Sequence, residues 1–312
     1  MTPAVLGLDV GGSKTHAVLS DGDTVLADVL AGSANPSSVG MAEAGRQLDT
    51  IVAQLGQVPV AAVCAGAAGV DTPEGAERFR RLLVDRIPAA RISVVHDSAL
   101  ILAAAGTATG ISVISGTGSV AWGRNADGRV ARAGGWGYLL GDEGSGYWVT
   151  RTAVQHALTR IDVGAPPDQL SQQLTADCGL ERVEQLLDHF YASPERRYWA
   201  SRARIVFDLA ARDDPASTAI VAAAADALVS LITRVGHSLG SPGPVVLAGG
   251  LVVHQPALQQ AVRDRLGQQG MNDVRVLDRE PVEGAVNLAH ALLLHSTGRM
   301  QTAGAITIVE KS

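Results

Sequence analysis

The chain has 312 residues, 46% hydrophobic and 18% charged, with a formal net charge of −6. That balance supports a folded core and argues against a disordered chain, a general DNA or RNA binder, or, with 4% aromatics, a stacking platform for single strands. The length calls for two domains or one large α/β unit. Glycine is the outlier, 35 residues or about 11% against an average near 7%. Twelve of them fall between Gly106 and Gly146 and three more between Gly7 and Gly12, which places them in turns and ligand loops rather than in a repeat. Lys14 and Lys311 are the only lysines. Cys64 and Cys178 form no CxxC pair and indicate no disulfide framework. The first residues lack a basic, uninterrupted apolar leader. The Ala219–Val235 stretch, interrupted by Asp226 and Arg234, is too short and too charged for a membrane span. A soluble cytoplasmic protein is expected.

In chain order, Val5–Val10 reads as a buried strand, His16–Ser20 as a second and Thr24–Leu30 as a third after the Asp21-Gly22-Asp23 turn. Val39–Leu55 has helical spacing, Val60–Cys64 reads as a strand, Thr72-Pro73 opens a helix to about Ile87, Ile92–Val95 is a strand, and Asp97 begins a helix over Ser98–Ala105. The opening pattern then returns as strand Ile111–Ile114, glycine loop, strand Val120–Arg124, Asn125–Gly128 turn and strand Arg129–Ala133. This recurrence about a hundred residues later points to two similarly built halves. From Gly144 to Gly240 the chain reads as helical, with starts near Ser145, Ala165, Leu180, Pro194 and Pro215. Strand Val245–Leu247, a helix from Pro256 to about Leu266, strand Val274–Leu277 and helix Val282–His295 complete the chain before a strand-like tail at Ala303–Glu310.

Gly7 and Gly12, followed by Ser13-Lys14-Thr15, come one residue out of phase with a Walker A loop, and a strand rather than a helix follows. A P-loop is therefore not expected. A hairpin can still cradle phosphate through backbone N–H groups at Gly11, Gly12, Ser13 and Lys14, and Asp9 at the strand mouth suits an oxygen ligand for Mg²⁺. The alternative is a plain tight hairpin. The second loop, Ser115-Gly116-Thr117-Gly118-Ser119, imitates a dinucleotide fingerprint, but again a strand follows. Asp97 sits where a strand hands over to a helix and reads either as a ligand-facing acid or as an N-cap, while its neighbour His96 reads as a structural histidine. The Gly134–Trp148 segment packs glycines with aromatics and two acids, the composition of a loop shaped around a polar ligand. Ala248-Gly249-Gly250 ends a strand where glycine admits a flat base, or simply makes a β-to-α turn.

Together these residues resemble the superfamily of sugar kinases, actin and the related heat-shock chaperones, specifically its BadF-type ATPase and N-acetylglucosamine kinase branch, from about Val5 to His295. The resemblance implies an α/β protein of two ribonuclease H-like domains with a central cleft. One would span 1–107 and regain a helix at about 284–297. The other would span 108–283 with a helical insertion at 144–240, leaving 298–312 as a tail. It implies ATP held by Gly11, Gly12, Ser13, Lys14, Thr15, Gly116, Thr117 and Gly118, with adenine near Gly249 and Gly250. It implies Mg²⁺ near Asp9, Asp97 as catalytic base, and a sugar held by Asn35, Asp97, Gly135, Trp136 and Asp142. The expected function is transfer of the ATP γ-phosphate to the 6-hydroxyl of N-acetylglucosamine, with glucosamine and N-acetylmuramate as alternative acceptors. The expected partners are ATP and the amino sugar, with no nucleic acid and no membrane; a homodimer is common among related folds, and the sequence leaves the oligomeric state open. Two readings from other classes are an ATP-driven activator of a redox enzyme, which needs clustered cysteine ligands, and a non-catalytic sugar sensor.

Overall fold

The computed structural model describes residues 3–22, 24–67, 70, 72–87, 91–192, 195–240 and 243–294. The tail strand at Ala303–Glu310, the start near Pro194 and the last residue of the turn at Asp23 lie outside the described residues. The chain divides into two compact units, one of residues 1–109, 125–129 and 277–312, the other of residues 110–124 and 130–276.

In the first unit, β1 (Ala4–Val10), β2 (Lys14–Asp21) and β3 (Thr24–Gly32) form an antiparallel meander. Helices α1 (Pro36–Val39) and α2 (Met41–Leu55) follow, then β4 (Val60–Ala67), α3 (Pro73–Val84), β5 (Arg91–His96) and α4 (Asp97–Ala104). β4 and β5 extend the sheet in parallel, giving the order β3-β2-β1-β4-β5. β1 and β4 are apolar almost throughout, as strands covered on both faces must be.

The second unit repeats the plan. β6 (Gly110–Ser115), β7 (Ser119–Arg124) and β8 (Val130–Gly134) form the meander. Six helices intervene: α5 (Gly146–Asp162), α6 (Gln169–Asp177), α7 (Gln185–Ala192), α8 (Arg196–Ser201), α9 (Ala203–Ala210) and α10 (Pro215–Leu239). β9 (Val245–Ala248), α11 (Pro256–Gln268) and β10 (Val274–Val276) then complete a sheet ordered β8-β7-β6-β9-β10. Both halves thus share strand order and direction, as the repeated strand–loop–strand pattern anticipates. Contrary to the expectation for Ala219–Val235, the helix α10 runs over Pro215–Leu239 and is, by length and composition, long and apolar enough to cross a membrane. Its buried stripe, including Ile220, Leu228, Ile232 and Val235, packs in the core of this unit.

The last helix, α12 (Pro281–Leu294), belongs to the first unit and packs on α4 and β1. Gly284 makes that approach possible, since a Cβ there would lie 2.0 Å from the Leu100 carbonyl oxygen. Several sequence expectations differ. The helix expected near Ala165 starts at Gln169, after the Asp168 side chain caps it, and α9 at Ala203 matches none of the expected starts. The helix expected over Val39–Leu55 is two helices, because Gly40 at φ +79° is C-cap to one and N-cap to the next. The helix expected from about Leu180 starts at Gln185, because the side chain of Gln185 accepts the N–H groups of Glu181 and Arg182 and holds them in a turn.

Candidate active site

The first unit holds the candidates Asp9, the 11–15 turn, Asn35 and Asp97, which follow or end strands β1, β3 and β5. Asp9 lies one residue before the end of β1, paired across β2 to His16 and across β4 to Gly66. Burial, then the charge of Asp97, pushes its carboxyl up from 3.8 to about 6, with Glu280 adding to the rise while His16 and Lys14 oppose it. Two acids in one low-dielectric neighbourhood are costly unless a cation joins them. Asp9 therefore fits an Mg²⁺ ligand, and the chemistry of the donor set is that of a hard oxygen site.

Asp97 opens α4 at the end of β5. The helix cap geometry falls on His96, with Asp97 as the first helical residue, so Asp97 is not an N-cap as such. Burial pushes its carboxyl up, but the hydrogen bond and charge of His96, with Ser98, outweigh that and hold it below the usual carboxylate range. It stays ionised at neutral pH.

The glycine hairpin between β1 and β2 is closed by the Gly11 N–H donating to the Lys14 carbonyl at 2.9 Å. The turn thus spends on itself one of the N–H groups expected to face phosphate. Thr15 is buried, and its Oγ1 accepts the Ala34 N–H at 2.8 Å. Ser33 Oγ donates to the Gly11 carbonyl at 2.8 Å. These bonds brace the hairpin against the loop carrying Asn35, whose Oδ1 accepts the Ser37 N–H at 2.9 Å and caps α1. Asn35 is therefore buried, fixed and coupled to the phosphate-type turn.

The second unit gathers the remaining candidates. The Gly116–Gly118 loop closes in the same way, Gly116 N–H to the Gly118 carbonyl at 3.0 Å. The Gly134–Gly146 segment is stapled onto it. Gly135 N–H donates to the Ser119 carbonyl at 3.0 Å, and Gly146 N–H to the Gly116 carbonyl at 2.8 Å. Ser119 Oγ donates to the Glu143 carbonyl at 2.7 Å and Ser115 Oγ to the Gly144 carbonyl at 2.8 Å. Asp142, 5% exposed and at φ +62°, turns its carboxylate toward this loop. A Cβ on Gly118 would lie 2.8 Å from its Oδ2, and the Ser119 N–H reaches its Oδ1 at 3.4 Å. Burial raises its carboxyl above the ordinary value, opposed by Ser119 and by the charge of Arg196. Trp136 is 69% exposed, with the Arg132 guanidinium 5.5 Å from its ring centroid, so it offers a flat apolar face to solvent. Gly249 stands at φ +95° directly after β9, against the Ser115 backbone.

Sequence reasoning passed over His96, Glu280 and the serine staples. His96 was adjacent to a chosen acid and so within reach. Glu280 acts on Asp9 from far along the chain, and no local pattern reveals it. Among the described residues no group of three His, Cys, Asp or Glu side chains forms a metal cluster, and Cys64 is buried with its thiol pushed up to about 12.

Two sheets of one repeated plan, each with a glycine-closed hairpin, the first carrying the acids Asp9 and Asp97 at its strand ends, define the class of actin-like phosphoryl-transfer proteins. The model of the BadF/BadG/BcrA/BcrD ATPase family matches residues 6–289, and the chain belongs to that family. An N-acetylmuramic acid/N-acetylglucosamine kinase of Clostridium acetobutylicum is 34% identical over 260 residues, covering 80% of this chain and 85% of that protein. An N-acetyl-D-glucosamine kinase of Dictyostelium discoideum is 28% identical over 309 residues, covering 91% and 97%. Among solved structures, a "Putative N-acetylglucosamine Kinase" from Chromobacterium violaceum matches with a TM-score of 0.71 and 27% identity, covering 92% of this chain and 99% of that one.

Proposed function

We propose that this chain is an ATP-dependent amino-sugar kinase that phosphorylates the 6-hydroxyl of N-acetylglucosamine. The observation that carries the reading is the full-length likeness to amino-sugar kinases together with an ionised, anchored carboxylate, Asp97, beside the half-buried acid Asp9. N-acetylmuramate is the second acceptor to consider, because the relative at 34% identity is named for both sugars.

The chemistry needs little from the protein beyond position and charge. Asp97 accepts the proton of the acceptor hydroxyl. In a loose transition state that proton leaves late, so a carboxylate of lowered basicity suffices. In the first unit the backbone N–H groups of the 12–15 turn that the hairpin leaves over would face phosphate; in the second those of Thr117 and Gly118 would do so, and Gly250, where a Cβ would meet nothing within 4 Å, leaves room for the base. Asp9 would hold Mg²⁺, which supplies charge neutralisation on the phosphates. In the first unit the Asn35 amide would hold a sugar hydroxyl; in the second, the Trp136 indole face with Gly135 would lie against a sugar ring and Asp142 would hold a hydroxyl. The enzyme would act in the cytoplasm as a homodimer, which light scattering would show as about twice the 32.1 kDa chain mass.

The test is ADP release over a panel of N-acetylglucosamine, N-acetylmuramate, glucosamine, N-acetylmannosamine and glucose. The reading expects N-acetylglucosamine to give the highest kcat/KM. A protein that turns over ATP equally with and without every sugar would contradict it.

A further inference from the structure

Three contacts hold Oδ1 of the Asp97 carboxylate. Ser98 N–H donates to Oδ1 at 2.7 Å, Ser98 Oγ to the same oxygen at 3.4 Å, and His96 Nδ1 lies 2.9 Å from it. All three contacts fall on Oδ1. The His96 nitrogen also lies 3.2 Å from the Ser98 N–H, the position of a side-chain helix cap.

One ring nitrogen cannot accept from Ser98 and donate to Asp97 at the same time. An unprotonated Nδ1 would face the carboxylate lone pair to lone pair at 2.9 Å. The Ser98 N–H already has its shorter partner in Oδ1. The shorter contacts, 2.7 and 2.9 Å, accord with a proton on Nδ1 pointing at Asp97, so that the Asp97 carboxylate rather than the imidazole takes the Ser98 N–H.

We propose that His96 is a positioning residue for the transfer reaction: its Nδ1–H and the Ser98 amide clamp Oδ1 of Asp97 and thereby dedicate Oδ2 to the acceptor hydroxyl. This rests on the reading of Asp97 as the base. A carboxylate anchored through a single oxygen by two donors cannot rotate its reactive oxygen away, and loss of the anchor leaves two oxygens exchanging places. Burial of the pair, at 16% and 26% side-chain exposure, limits the water available to replace the imidazole. The lowered carboxyl of Asp97, in which His96 takes part against burial, accords with the same contact.

The test compares His96→Asn with His96→Leu, side chains of similar size of which only Asn carries an N–H near the Nδ1 position. Kinetics with MgATP and N-acetylglucosamine should show kcat down roughly 10- to 100-fold for Leu, both KM values within about twofold, and Asn within about threefold of wild type. A Leu variant within twofold of wild type, or an Asn variant as slow as Leu, overturns the proposal. If the Leu variant does not fold by circular dichroism, His96→Ala is judged by the same criteria. Long-range ¹H–¹⁵N spectra of the wild-type protein give an independent readout. A protonated Nδ1 on His96 supports the clamp, and a bare Nδ1 overturns it. Asp97→Asn separates the two readings: an active variant removes the base, whereas an inactive one beside an unaffected His96→Leu removes only the positioning role.

Discussion

Replacing Asp9 by Asn should stabilise the protein while disabling it. The Asp9 carboxyl is raised from 3.8 to about 6, first by burial and then by the charge of Asp97. A folded state that binds this proton more tightly than the unfolded chain loses stability as pH rises from about 4 to about 6 and stays at the lower level above that. At pH 7 the ionised group costs the fold on the order of 3 kcal/mol. Asparagine is nearly isosteric and carries no charge, so Asp9→Asn should recover much of that cost. The gain corresponds to roughly 6–10 °C in the melting temperature of a domain this size. The assay is thermal unfolding at pH 4.5 and pH 7.5, without ligand and with MgATP. The variant should melt well above wild type at pH 7.5 and close to it at pH 4.5. MgATP should raise the melting point of wild type and have little effect on the variant. Equal or lower melting of Asp9→Asn at pH 7.5 would refute the claim that Asp9 is a half-buried acid whose ionisation costs the fold.

Three further outcomes follow from the geometry. Asp97→Asn should lower kcat by roughly 10²- to 10⁴-fold while leaving ATP affinity nearly unchanged, measured by calorimetry. Asp142→Ala should raise the KM for N-acetylglucosamine; because Asp142 also faces the Gly118 loop, a change confined to nucleotide affinity would assign it to that loop alone. Gly284→Ala places a Cβ 2.0 Å from the Leu100 carbonyl oxygen and should cost at least 1–3 kcal/mol in denaturant unfolding; a neutral result would mean that α12 sits further from α4 than described.

Much of the fold was legible because its signals are local. The short apolar runs of β1, β4 and β6, followed by glycines, read as strands covered on both faces, and Pro73, Pro215 and Pro256 mark helix starts by their fixed φ. The repeated strand–loop–strand pattern correctly implied a repeated sheet order. The glycine excess likewise acquired a place: closed turns at Gly11 and Gly116, and the 134–146 segment stapled to the second of them. What escaped depends on partners distant in sequence or on one atom's protonation. Glu280 reaches Asp9 only after the chain returns to its first unit, and Asp142 meets Gly118 through a loop whose path no periodicity encodes. His96 looked like structural filler because a histidine's role is set by which nitrogen carries the proton, and a sequence does not contain that.

The most direct test of the central claim is the product itself. Purified protein incubated with MgATP and N-acetylglucosamine should give one ADP per sugar consumed and a single phosphorus resonance coupled to the C6 methylene protons. Inorganic phosphate in place of a sugar phosphate, or phosphorylation at the anomeric oxygen, would contradict the account.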